Sequence, residues 1–183
     1  MRIEPTRTDC QMPCLQQMGD GIAETPPVSL SRRLKLFARR HMSPRTERRF
    51  KQATNDLANR LYKFTGKRTK PLVEVATSSA EQLKAGDLVR VRSREEIDAT
   101  LDNWRQLRGC TFMPEMDPYC GSTQRVLKRV ERFVDERDLR VKRSKGMVLL
   151  EGIMCQGTAD FGPCDRCCFM FWREEWLERI VDT

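Results

Sequence analysis

Cys155, Cys164, Cys167 and Cys168 fall within fourteen consecutive positions, and this crowding of thiols restricts the chain more than any other feature of its sequence. A free cysteine is usually a small buried hydrophobe, so scattered cysteines need no special account. A cluster does. The opening residues Met1-Arg2-Ile3-Glu4-Pro5-Thr6 contain no apolar stretch and carry an early acid, which does not read as a secretory signal. The expected address is a reducing cytoplasm, where structural disulfides are rare. Crowded thiols there point to a metal centre or to thiol redox chemistry.

Cys120, in Tyr119-Cys120-Gly121, and Cys155, in Cys155-Gln156-Gly157, join Cys164 and Cys168 in a C-x34-C-x8-C-x3-C pattern. Glycine soon after the first two lets the backbone turn closely around an ion. Cys164 and Cys168 are expected at the approach to a C-terminal helix, where an i, i+4 spacing puts both sulfurs on one face. The positive end of that helix would stabilise thiolates. Cys167 is the substitute for Cys168 where an i, i+3 spacing fits better, and Cys110 ranks below these. His41 is the only imidazole and lies elsewhere, so the site is expected to be all-thiolate. Soft ligands of this kind suit an iron–sulfur cluster or Zn. The scattered spacing favours iron–sulfur, because structural zinc sites commonly use two close cysteine pairs.

The formal net charge of +8 is unevenly placed. From Arg32 to Lys70 there are fourteen Lys and Arg against Glu47 and Asp56, whereas the rest of the chain holds twenty bases and twenty-four acids. Arg32, Arg33, Arg39, Arg40, Arg45, Arg48 and Arg49 are therefore the candidate contacts for an acidic protein partner or nucleic acid. No run of eighteen apolar residues exists, so no membrane span is expected.

Residues 1–27, which include Cys10 and Cys14, lack periodicity and read as a flexible segment. Residues 28–70 read as a flexible basic helical arm. Leu30, Leu34 and Phe37 mark one short helix over 29–41. Ser43-Pro44 starts another over 44–64, with Phe50, Ala53, Leu57 and Leu61 on one face. Residues 72–183 read as an α+β domain. Leu88–Arg92 forms a strand, Ser93 and Glu96 form a capping box, and Ile97, Leu101 and Trp104 line a helix that ends at Gly109. Strands are expected over 125–134, 139–142 and 147–150, giving a small antiparallel, barrel-like sheet. Phe169, Trp172, Trp176 and Ile180 predict the C-terminal amphipathic helix.

The segment from Leu83 to Ile180 resembles an uncharacterised group of short bacterial proteins found near biosynthetic or polysaccharide genes. The matching elements include Gly86–Ser93, Phe112-Met113-Pro114-Glu115-Met116, Tyr119-Cys120-Gly121, Leu150-Glu151-Gly152 and Phe171–Leu177. The resemblance implies cysteines at the positions of Cys120, Cys155, Cys164 and Cys168, treats Cys167 as an addition, and carries no assigned activity.

Three functions compete on these residues. The first is a small metal-binding protein, iron–sulfur in preference to zinc, serving a larger enzyme as electron carrier or accessory. The second is a nucleic-acid-binding protein with structural zinc, in which Arg90, Arg92, Arg125, Lys128, Arg129 and Arg132 join the arm in meeting phosphates. The third is catalysis: a thiol oxidoreductase using Cys164-Asp165-Arg166-Cys167, or acid–base work by Glu115, Asp117, Glu151 or Asp160. No βαβ unit surrounds the C-x-x-C, and no Ser/His pair or phosphate loop is present, so catalysis ranks last.

Overall fold

The computed structural model describes residues 15, 18–19, 29–65, 82–159 and 161–180, with positions 39, 40, 62, 63 and 65 described by backbone alone. Cys10, Cys14, Asp160 and the Arg39 and Arg40 side chains therefore lie outside the description, as does most of the segment expected to be flexible.

Two helices come first, α1 over Leu30–His41 and α2 over Pro44–Thr65, broken at Met42 and Ser43. Ser43 Oγ accepts the Thr46 amide at 3.2 Å, and Pro44 occupies the first helical position, where its missing N–H costs nothing. The arm is held against the rest of the chain by polar side chains of α2 together with Phe50, the first residue of its apolar stripe. Thr54 accepts a 3.0 Å hydrogen bond from the Trp104 indole, Asn55 donates to Asp102, and the Phe50 ring lies 6.1 Å from that of Trp104. Arg137 also reaches Glu47 at 2.6 Å and the Met42 carbonyl. Leu57, Leu61 and Phe64 remain exposed.

The domain is α+β, built on a five-stranded antiparallel sheet in the order β10-β7-β4-β1-β11. These strands are β1 Leu88–Val91, β4 Thr123–Arg129, β7 Met147–Leu150, β10 Trp172–Arg173 and β11 Leu177–Arg179. The alternation of half-buried and buried residues along β1 and β7 puts Val89, Val91, Val148 and Leu150 on the core face. A register shift between Val126 and Lys128 bends β4 where its partner changes from β1 to β7. The sheet stays open, with β10 and β11 at its edges, so the barrel expected from the sequence does not form. Three two-stranded hairpins project from this frame: β2 Gln106–Leu107 with β3 Cys110–Thr111, β5 Arg132–Asp135 with β6 Arg140–Arg143, and β8 Gly157–Thr158 with β9 Gly162–Pro163.

Two helical expectations need correction. The inserted helix α3 covers only Arg94–Thr100, starting from the Ser93/Glu96 capping box. It does not run to Gly109, because Asp102 Oδ1 accepts the amides of Trp104 and Gln106 at 2.8 and 2.9 Å and pulls the chain into a turn. The C-terminal helix is absent. Trp172 instead opens β10 and Trp176 closes a 3-10 turn at Glu174–Trp176 that leads into β11. Apolar residues four apart suit that arrangement as well as they suit a helix.

The core gathers beneath this sheet. Phe112 presents its ring edge-on to Trp172 and Trp176, at 6.3 and 5.3 Å, and Tyr119 meets Trp172 at 6.1 Å. Such T-shaped pairs add to simple area burial. Trp176 keeps its polar handle satisfied by donating to Thr100 Oγ1 at 3.1 Å. Of the aromatics that follow the last cysteine, Trp172 and Trp176 are core, whereas Phe169 and Phe171 are each 39% exposed.

Candidate functional site: the cysteine finger

Residues 153–170 leave the sheet at Ile153 and return at Met170, both buried. Between them, the one buried residue among those described is Gly162. The chain closes into a narrow finger by main-chain bonds. Met154 bridges Phe169, the Cys155 amide donates to the Cys168 carbonyl at 2.7 Å, and the Cys164 amide donates to the Gln156 carbonyl at 3.1 Å. Gly157 has φ 112°, and a Cβ there would collide with the Gly162 carbonyl, so the close approach of β8 and β9 requires glycine.

This pairing sets Cys155 directly across from Cys168 and places Cys164 beside the residue that follows Cys155. The Cys155 sulfur is half-buried against the core and accepts the Gly157 amide at 3.4 Å. Cys164, Cys167 and Cys168 are exposed, and Cys167 takes a left-handed φ of 51° at the turn. The i, i+4 helical face expected for Cys164 and Cys168 does not exist, because this segment is turn and bridge and not helix. Arg166 pairs with Glu136 at 2.7 Å. Its pKa is raised chiefly by that carboxylate, and the thiols of Cys168 and Cys164 contribute in the same direction. The finger thus carries a cation next to its sulfurs.

Cys120 belongs to a different element. It caps the 3-10 turn Pro114–Tyr119 and packs half-buried on the core, where burial raises its pKa against the opposing pull of Arg94. That turn touches the finger, since Glu115 accepts the Ala159 amide at 3.2 Å. Cys110 sits in β3 with its thiol directed at the Phe171 carbonyl, 3.7 Å away. Burial pushes its pKa up to about 11, so it is a protonated thiol at neutral pH. Among the described residues, no three His, Cys, Asp or Glu side chains stand grouped so as to hold a metal ion. The backbone brings three of the four expected ligand positions into one finger and sets the fourth on the adjoining turn.

No protein-family model matches the chain, and neither a curated protein nor a solved structure is detectably similar to it. Chemistry must therefore be read from the residues themselves.

The acidic candidates have structural employment: Glu115 ties the turn to the finger, and Asp117 pairs with Arg94. Glu151 is exposed. In the arm, Arg32, Arg33, Arg45, Arg48 and Arg49 are all exposed. No described helix is long and apolar enough to cross a membrane. Sequence reasoning missed the contact of Phe171 with Phe133, whose ring centres lie 5.8 Å apart. No short-range pattern signals it, because the two residues lie 38 positions apart.

Proposed function

We propose that the chain is a small metal-binding accessory protein whose finger supplies Cys155, Cys164 and Cys168 as thiolate ligands, with Cys120 completing the set from the adjoining turn. One observation carries this reading: the finger has almost no buried side chains of its own, yet it crowds four cysteines onto paired backbone. A segment without an apolar core needs another organising contact, and a thiolate-bound ion supplies one. The donor set fits a soft metal, either Zn or the iron of an iron–sulfur cluster. Cys164, Cys167 and Cys168 are exposed, so a change of rotamer can turn each sulfur toward a shared ion. Cys167 replaces Cys168 where the left-handed turn favours it. Bound metal would order the finger; an iron–sulfur centre there would also pass electrons to a partner held by the exposed arginines of the arm.

Metal analysis and an absorption spectrum of the full chain purified without oxygen test the proposal. About one zinc ion, or one iron–sulfur chromophore, per chain is expected, with loss on replacing Cys155 by Ser. A colourless protein that neither contains nor takes up zinc or iron, and whose finger thiols all react freely with a thiol reagent, would sink it.

A further inference from the structure

Beside the sheet, and independent of any metal, two open clefts of about 740 and 570 Å³ lie on either side of one aromatic pair. Phe133 and Phe171 line both clefts, with rings 5.8 Å apart and inclined at 48°. Phe171 is 39% exposed, which is costly for a large apolar ring that has a core close by.

The walls are strongly basic. Lys84, Lys128 and Arg132 contribute to the first cleft, and Arg108, Arg143 and Lys145 to the second. Among the described residues that line the two, Glu131 is the only acid. Arg132 and Arg143 are direct cross-strand partners in the β5–β6 hairpin. Like charges placed opposite each other in a ladder destabilise it, and an anion bound nearby relieves the repulsion.

Cations spaced along the two clefts, with a partly exposed aromatic pair between them, match the chemistry of an unpaired nucleic-acid strand. Phosphates meet the Lys and Arg side chains, while bases stack on the rings. A duplex keeps its bases stacked internally and gains nothing from the rings. An acidic protein would use the charges and leave the rings idle. We propose that the paired clefts around Phe133 and Phe171 bind single-stranded nucleic acid.

The test is fluorescence anisotropy on the full chain with labelled oligo(dT) and oligo(U) of about 16 nucleotides, and with a duplex of the same length. The basic arm adds a component common to all three probes, so the discriminating variant is Phe171→Ala. Affinity for the single strands is expected to fall about fivefold or more, with the duplex unchanged. A preference between the two oligomers assigns the site to DNA or RNA. Arg143→Glu with Lys145→Glu, both at exposed positions, is a second variant whose folding is not in question. It should weaken the single-strand complexes and flatten their dependence on salt. Single-strand affinities left intact in either folded variant, or a Phe171→Ala variant that loses duplex and single strands equally, would overturn the proposal.

Discussion

Arg173 grips Glu175 through two hydrogen bonds of 3.0 and 2.6 Å, with their side chains 5% and 8% exposed. The same guanidinium donates to the Lys145 carbonyl, and Arg108 approaches Glu175 from the outside at 3.1 Å. This pair stands where the chain turns from β10 to β11, so it pins the two edges of the sheet to a common corner. Removing one member strands a buried charge, which costs about 3–5 kcal/mol, whereas replacing both by apolar residues removes the charge altogether. Glu175→Ala is therefore expected to be much less stable to urea than wild type. Arg173→Met with Glu175→Leu should recover most of the loss. Equal midpoints for wild type and Glu175→Ala would show that the pair does not hold the corner.

Two titrating groups set opposite limits on stability. Burial opposes ionisation of Asp87, yet the Lys84 amide and the Arg179 guanidinium outweigh it and hold the carboxyl below its usual 3.8. A depressed pKa means that the folded state releases its proton more readily than the unfolded chain. Its contribution is present above about pH 3.9 and is lost as pH falls through the folded value. Cys110 behaves in the reverse sense. Burial raises its thiol from 9.0 to about 11, with Arg173 pulling it down and Glu175 pushing it further up. Its contribution is complete below pH 9.0 and is lost as pH rises toward 11. Thermal melts of Asp87→Asn and Cys110→Ala separate the two. The stability gap between wild type and Asp87→Asn should close below about pH 4, and wild type should lose ground to Cys110→Ala between about pH 9 and 11.

The parts of this architecture that are legible in the sequence are those with a local cause. Ser93 and Glu96 make a capping box whatever surrounds them, and Ser43-Pro44 starts a helix on its own terms. The alternation in Leu88–Val91 and Met147–Leu150 likewise needs only a core on one side. The C-terminal strands were hidden because Trp172 and Trp176 are spaced for a helix, and only pairing of β11 with β1 decides the matter. Such pairing joins residues almost ninety positions apart, as in Val91 with Leu177, and leaves no mark in a short window. The finger was legible as a cluster of sulfurs but not as a hairpin, because its pairing depends on Gly157 and on main-chain bonds that almost any residue can make. The face by which α2 docks was hidden for a related reason. Thr54 and Asn55 are ordinary exposed-helix residues until Trp104 and Asp102 meet them.

The finger's stability offers the sharpest separation of metal binding from simple folding. Its two short strands join Gly157–Thr158 to Gly162–Pro163, and among the described residues from 154 to 169 Gly162 alone is buried. A hairpin of that size is marginal in water by itself. The sheet beneath, by contrast, packs Val89, Val126, Val148 and Trp172 with no exposure at all. If thiolate-bound metal orders the finger, adding a strong chelator should release it while the sheet stays folded. Amides of Cys155 and Cys164 would then lose hydrogen-exchange protection, and a protease would cut between 155 and 168. Cys155→Ser should show the same opening without chelator, and Val89 and Val148 should stay protected throughout. Protection at Cys155 and Cys164 that survives both chelation and Cys155→Ser would mean that the main chain alone holds the finger closed, and the thiols would then need another role.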